Sequence, residues 1–289
     1  MHNQELTTIS EIITNLNKIY QHHPRSSKNY SLYEKLAKNF IKESNLAKGK
    51  SGEIVLTNFG KIIFPYKEMG AINTLDLFGL DELIIFSFYW QNKDNYKITA
   101  DIGANLGLHS IFMNRCGWSV KAYEPDPKHL KIFKNNMHIN NVNKVDIYES
   151  AVSDRSGKMK FTRVMGNTTS SHLTGAKDKP YGDLEYFDVE VIPIGEIMKE
   201  VDFIKMDVEG QEKAILTSTK EKQWLSTDMM VEIGSEQNSL DIFEHFKKMN
   251  VNLFTQKTGW KKAKNFNEMP KSYKEGSVFI STKSIMPWV

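Results

Sequence analysis

Ile98 to Phe112 reads ITADIGANLGLHSIF, and the fold is worked out from this stretch outward. An apolar run enters the carboxylate Asp101, a turn follows with Gly103, Ala104 and Gly107, and Leu108, Ile111 and Phe112 then fall at helical spacing. The pattern predicts strand, tight turn and helix. Glycine has no Cβ, so such a turn brings backbone N–H groups and a helix N-terminus close to a bound ligand. A dinucleotide-binding turn has the spacing G-x-G-x-x-G, whereas here Asn105 takes the place of the second glycine and leaves G-x-x-x-G. That leaves no seat for a pyrophosphate and argues against a nicotinamide oxidoreductase.

The second mark is Tyr123-Glu-Pro-Asp-Pro127. Val120 to Tyr123 reads as a short strand with Glu124 and Pro125 at its end, and 124 − 101 = 23 positions suit one turn-helix-strand crossover. A carboxylate in that place accepts both hydroxyls of a ribose. Asp126 is the expected N-cap and Pro127 the first helical residue, with Leu130, Phe133 and Met137 as the buried stripe. The ligand implied has a ribose and lacks a pyrophosphate, and S-adenosylmethionine answers that description.

Four blocks in order resemble the FkbM-type methyltransferases: DIGANLG (Asp101 to Gly107), YEPDP (Tyr123 to Pro127), ESAVSD (Glu149 to Asp154) and DFIKMDVEGQE (Asp202 to Glu212). The I-K-x-D-x-E-G run from Ile204 to Gly210 is the most specific of them. The resemblance covers roughly Leu75 to Ile233. It implies an α/β class I methyltransferase fold, Rossmann-like, with a mostly parallel seven-stranded sheet and helices on both faces. It also implies S-adenosylmethionine as methyl donor, and as acceptor a hydroxyl of a small molecule, sugar or glycan.

A chain of 289 residues with 40% hydrophobic content can bury a full α/β core. Residues 1–73 are expected to form an extension of helices and a β-hairpin, a lid or packing element, and residues 74–289 the methyltransferase domain. The 38 Lys+Arg against 35 Asp+Glu give +3, too small an imbalance to argue for nucleic acid. One cysteine, Cys116, excludes an internal disulfide and fits a reducing cytoplasm. The opening MHNQELTTISEIITNL has no apolar core of a signal peptide. Leu83 to Trp90, the longest apolar run, falls far short of the roughly 20 residues that cross a bilayer, so no membrane partner is expected.

In chain order, Leu6, Ile9, Ile12, Ile13, Leu16 and Ile19 predict a helix over Glu5 to Tyr20, and Leu32, Leu36, Phe40 and Ile41 a second one. Glu53 to Leu56 and Lys61 to Pro65 predict a hairpin. TLDLFGLDELIIFSFYW, from Thr74, is an apolar helix pair broken at Gly79 with Asp81 as N-cap, its aromatics assigned to the core. Strands are expected at Lys144 to Tyr148, Lys158 to Val164, Val189 to Ile192, Val201 to Met206, Met229 to Ile233, Val251 to Phe254 and Ser277 to Ser281. The resemblance implies that the last pair closes the sheet with one antiparallel strand, and Ser150 and Ala151 leave room for a flat adenine edge.

Candidate chemistry gathers at strand ends. Asp207 ends the fourth core strand and opens Asp-Val-Glu-Gly, which places Asp207 and Glu209 in the crevice. In-line positioning supplies most of the rate of methyl transfer from a sulfonium, but an alcohol must also lose its proton to a base tuned toward neutrality. Glu209, Asp207 and His109 are the candidate bases, with Lys205 able to hold a carboxylate ionised. The long polar loop Met165 to Asp183, with Asn167, Thr168, Thr169, Ser170, Ser171 and His172, is expected to meet the acceptor together with Glu232. Asp207, Glu209 and Glu232 could instead present oxygens to Mg²⁺, which is not favoured because nothing in their spacing demands it. Two other classes stay open: a protein that binds the cofactor without catalysis, and an N-methyltransferase acting on a small molecule or nucleic acid. Against the latter, Asp207-Val-Glu-Gly stands where base-amino enzymes carry N/D-P-P-aromatic.

Overall fold

The computed structural model of the chain describes residues 11, 13–44, 46, 52–69, 72–165, 167, 170–176 and 182–288. Most of the first expected helix, including Leu6, Ile9 and Ile12, lies outside these residues. Its described end is a 3₁₀ helix, Leu16–His22, interrupted at Ile19 (φ −121°), where an α-helical stripe was expected. Tertiary partners take over there: the Asn17 N–H donates to Ser87 Oγ at 3.1 Å and its side chain to Gln91 Oε1 at 2.9 Å.

His23, 2% exposed, closes this segment against the C-terminal region. Its Nε2 lies 3.0 Å from the Leu16 carbonyl oxygen, and the Trp260 indole N–H donates to its Nδ1 at 2.8 Å. Burial lowers its pKa from 6.5 to about 4. The neutral ring is therefore the folded form, and the stability it contributes is complete above pH 6.5 and lost as the pH falls toward 4. The expected loss is roughly 3 kcal/mol at its limit, readable in melting temperatures between pH 7 and 4.5, and His23→Gln should flatten that slope.

Helix α1 (Tyr30–Glu43) buries Tyr30, Ala37, Phe40 and Ile41. Leu32, expected on the buried stripe, is 53% exposed, because the Tyr30 hydroxyl donates to Asp81 Oδ1 at 2.9 Å and turns that face inward instead. Strands β1 (Glu53–Leu56) and β2 (Gly60–Ile63) form the hairpin. After a 3₁₀ turn, Asp76–Phe78, helix α2 (Leu80–Gln91) starts at Gly79 as N-cap. Asp81 is not the cap: inside the first turn, it accepts from Arg25, Tyr30 and Gln256 and ties α2 to both ends of the chain.

The stretch at Ile98 forms β3 (Ile98–Ile102) and α3 (Leu108–Arg115), and β4 (Ser119–Tyr123) leads through the Asp126 cap into α4 (Pro127–Ile139) and β5 (Val145–Tyr148). A separate four-stranded sheet follows, built from β6 (Ser150–Ser153), β7 (Gly157–Val164), β8 (His172–Leu173) and β9 (Leu184–Pro193), in the order β6-β9-β7-β8. Both β7 and β9 run longer than expected, and β8 lies inside the stretch assigned to loop, because β7 and β9 pair antiparallel over eight registers and give β8 an edge to join. The chain returns through α5 (Ile194–Ile197) to β10 (Phe203–Met206), α6 (Glu212–Thr217), β11 (Asp228–Val231), α7 (Glu236–Phe246), β12 (Asn252–Thr255), β13 (Lys261–Lys262) and β14 (Val278–Ser281).

The main sheet has the order β13-β12-β14-β11-β10-β3-β4-β5. It holds eight strands rather than the seven expected: left-handed backbone at Gly259 (φ 71°) and Trp260 (φ 62°) folds the chain back so that Lys261–Lys262 pairs with β12. Strands β11, β10, β3, β4 and β5 are mutually parallel, while β14 runs antiparallel to β11 and β12. Alternate residues of one strand enter different cores, as in β10, where Phe203 packs with Phe88 and Trp118 on one face and Ile204 with Trp224 and Phe246 on the other. Strand order reverses between β3 and β10, and a ligand crevice opens outside the strands' carboxyl ends at such a point.

Candidate active site

A cleft of about 590 Å³ lies at those ends, within the roughly 300–1,000 Å³ typical of ligand sites. Its floor is the turn after β3. Gly103 has φ 76°, and a Cβ there would stand 1.9 Å from the Asp207 carbonyl oxygen, so the turn and the end of β10 approach as closely as backbones can. Asn105 also takes a left-handed conformation (φ 49°), which asparagine tolerates, and its N–H donates to Glu124 Oε2 at 2.8 Å. Glu124, 4% exposed at the end of β4, accepts the Asp126 N–H on its other oxygen at 2.8 Å, with His129 Nδ1 at 3.3 Å. This carboxylate is fixed in place and still lines the cleft. Asn105 Oδ1 is buried beside it without a hydrogen-bond partner, an acceptor left for a ligand. A fixed acidic acceptor, an open side-chain oxygen and a backbone cradle suit a nucleoside with free ribose hydroxyls.

Asp126 caps α4 by accepting from the Lys128 N–H at 2.7 Å, and it also takes Arg163 from β7 through two bonds of 2.6 and 2.5 Å. Burial pushes its pKa up, but the Arg163 hydrogen bonds, His129 and the Lys128 N–H outweigh this and hold it below the usual carboxylate range. The pair clamps the second sheet to the main one, and Asn167, Ser170 and His172 from that region line the cleft. Thr168 and Thr169 lie outside the described residues.

At the other end, Lys205 is 3% exposed, with Nζ 3.9 Å from Asp207 Oδ2 and 3.8 Å from Glu232 Oε1. Burial opposes its charge, but Asp207, Glu232, Glu82 and Asp101 outweigh that and raise its pKa. Glu232 is raised well above the ordinary carboxylate value, by burial first and then by Asp207, with Lys205 opposing. Glu82, from α2, faces His109 Nε2 at 3.0 Å, and the Tyr89 hydroxyl meets His109 Nδ1 at 2.8 Å. For Glu82 burial raises the pKa, but His109 and Lys205 outweigh it, so the net shift is downward. Glu209 stands in a left-handed conformation (φ 51°), and Glu212 braces its turn by accepting the Gly210 N–H at 2.7 Å and the Asn238 amide at 2.9 Å.

The cleft therefore brings together Gly103, Ala104, Asn105, Glu124, Pro125 and Ala151 with Lys205, Asp207, Glu209, His109 and Glu232. Three expected residues are not on its wall. Asp101, 2% exposed, accepts the Ser110 hydroxyl at 2.6 Å behind the turn. Gly107 sits where a Cβ would be 2.6 Å from the Phe133 ring, so it serves helix packing. Ser150 is buried with its hydroxyl unpartnered. Sequence reasoning missed Glu82, His129 and Arg163. For Glu82 a signal existed, since it is a charge inside the apolar run Leu80 to Trp90. Among the described residues no group of three or more His, Cys, Asp or Glu is arranged to hold a metal ion, and the Lys205 ammonium is the cation within 4 Å of both Asp207 and Glu232.

The sequence model of the Methyltransferase FkbM domain matches residues 101–261. Methyltransferase 1 of Beauveria bassiana (strain ARSEF 2860) is 26% identical over 153 residues, 45% of this chain and 61% of that protein. Methyltransferase sdnD of Sordaria araneosa is 26% identical over 166 residues, 46% of this chain and 64% of that protein. The chain thus spans less than two thirds of the length of these curated relatives. Among solved structures, the SAM dependent methyltransferase from Agrobacterium tumefaciens superposes with a TM-score of 0.42 at 7% identity, over 81% of this chain and 71% of that one.

Proposed function

The chain belongs to the methyltransferase FkbM family, and from that premise we propose that it transfers the methyl group of S-adenosylmethionine to a hydroxyl of a small molecule or glycan. The observation that carries the reading is Glu124, a carboxylate fixed by the Asn105 and Asp126 N–H groups at the end of the strand beside the glycine turn. Glu124 would take the ribose hydroxyls, Asn105 and the Gly103–Ala104 backbone the rest of the nucleoside and its tail, and Ala151 the adenine edge. S-adenosylmethionine supplies a methyl group on a sulfonium, a good leaving group, and a cleft where Glu82, Glu124, Asp207 and Glu209 stand with a single lysine, Lys205, favours a cation. Asn167, Ser170 and His172 would face the acceptor. Cys116, a free and buried thiol, accords with a reducing cytoplasm as the compartment. Among the described residues no helix is long and apolar enough to cross a membrane.

Thermal-shift titration tests the reading. S-adenosylmethionine and S-adenosylhomocysteine should each raise the melting temperature, by roughly 2.7 kcal/mol of stabilisation at a hundredfold excess over Kd, and NAD should not. Stabilisation by NAD alone would overturn the reading, as would no response to either S-adenosyl compound. Glu124→Ala frees two backbone donors and removes the ribose acceptor. Hydrogen bonds to a charged group are worth roughly 1.5–3 kcal/mol, so affinity for both S-adenosyl ligands should fall at least about tenfold by calorimetry. Screening hydroxylated acceptors for S-adenosylhomocysteine formation then identifies the substrate.

A further inference from the structure

Resting on the methyltransferase reading, we propose that Glu232 takes the proton of the hydroxyl being methylated, and that Glu82, which faces His109, is the positioning residue that sets Glu232's charge state.

Geometry separates Glu232 from the other candidate bases. Both His109 ring nitrogens face side chains of α2, Nδ1 hydrogen-bonded with the Tyr89 hydroxyl at 2.8 Å and Nε2 within ion-pair distance, 3.0 Å, of Glu82, so the ring is turned toward α2. The Asp207 side chain is 41% exposed at the mouth of the cleft, against 23% for Glu232. Glu209 is carried on the strained turn beyond Asp207. Glu232 follows directly on β11, and its N–H is anchored to the Met206 carbonyl at 3.2 Å.

Charge gives this arrangement its function. Around the Lys205 ammonium stand Asp207, Glu232 and Glu82, with Asp81 also acting on Glu232 from α2 and His109 holding Glu82 from α3. Burial first, and then Asp207 and Glu82 against the opposing Lys205, raise the Glu232 pKa, and the excess of carboxylates over the one ammonium favours a proton on Glu232 while the cleft is empty. A sulfonium entering the same cleft adds the missing positive charge and drives that proton off. The base is then ionised when the methyl donor is present. In the transfer, the acceptor oxygen forms its bond to the methyl carbon as the carbon–sulfur bond breaks. That electron pair stays on sulfur as a neutral thioether, and the hydroxyl proton passes to the Glu232 carboxylate.

The test is calorimetric titration of the full chain with S-adenosylmethionine and S-adenosylhomocysteine from pH 5 to 8, in buffers of different ionisation enthalpy, which counts protons exchanged on binding. The sulfonium ligand should release protons that the thioether ligand does not, over a pH window above the ordinary carboxylate range. Glu232→Gln should abolish the difference, and Glu82→Gln should move its midpoint to lower pH, because one of the charges that raises Glu232 is gone. A merely structural role for Glu82 would leave that midpoint in place. Equal proton inventories for the two ligands in the unaltered chain would overturn the proposal whether or not the variants fold. A difference that survives in Glu232→Gln would also overturn it. Failure of both ligands to bind would instead overturn the methyltransferase reading.

Discussion

Gly103→Ala is expected to abolish measurable S-adenosylmethionine binding and to lower the melting temperature. The added Cβ would stand 1.9 Å from the Asp207 carbonyl oxygen, a backbone atom at the end of β10. That oxygen cannot retreat alone, because the Asp207 N–H is bonded to the Ile102 carbonyl at 3.0 Å and β10 is paired with β3 residue by residue. The left-handed conformation alone costs an alanine roughly 1–2 kcal/mol, and the contact adds to it by forcing apart the two strands whose divergence makes the crevice. Gly117→Ala is the matched control. Its φ is 90° and nothing lies within 4 Å of its added Cβ, so it should lose stability by the conformational cost alone and bind normally. Normal affinity in Gly103→Ala would show that the turn does not shape the cofactor site.

Arg163→Leu is expected to cost about 3–5 kcal/mol, the loss typical when one partner of a buried ion pair is removed. Asp126 is fully buried and Arg163 is 6% exposed, joined by two short hydrogen bonds, and without the guanidinium the carboxylate keeps its desolvation with only the Lys128 N–H and His129 beside it. The change also unfastens the sheet that brings His172 and Ser170 to the cleft, so thermal unfolding and proteolysis between residues 157 and 193 should both report it. Lys128→Ala removes an exposed bridge to Glu185 and should change stability by less than about 1 kcal/mol. Equal effects from the two variants would mean that the buried pair is not what holds the second sheet.

Local signals carried much of the fold. The strand-turn-helix at Ile98 to Phe112, the Asp126 cap with Pro127 behind it, and Glu124 at a strand end all follow from backbone rules acting over a few residues. Those rules also placed most of the cleft's acidic residues at the carboxyl ends of parallel strands, where the α/β topology makes a crevice. They misplaced Asp101, because a strand residue one step before a turn points toward the neighbouring helix and meets Ser110 there. They misassigned part of the loop from Met165 to Asp183, since a two-residue edge strand has no periodicity of its own and forms only when a longer partner offers its edge.

By itself the sequence determined the central strands and the helices between them, the glycine-shaped turn and the carboxylate that faces it, because helical and strand periods, caps and left-handed residues are properties of short stretches. Tertiary structure alone decided which charges meet. Tyr89 and His109 stand 20 positions apart and Arg163 and Asp126 37 apart, and they come together because α2 packs on α3 and because β7 folds back over α4. The strength of those contacts, and the upward shift that burial and Asp207 impose on the Glu232 carboxyl, depend on distance and on exclusion of water, and neither quantity is written in residue spacing.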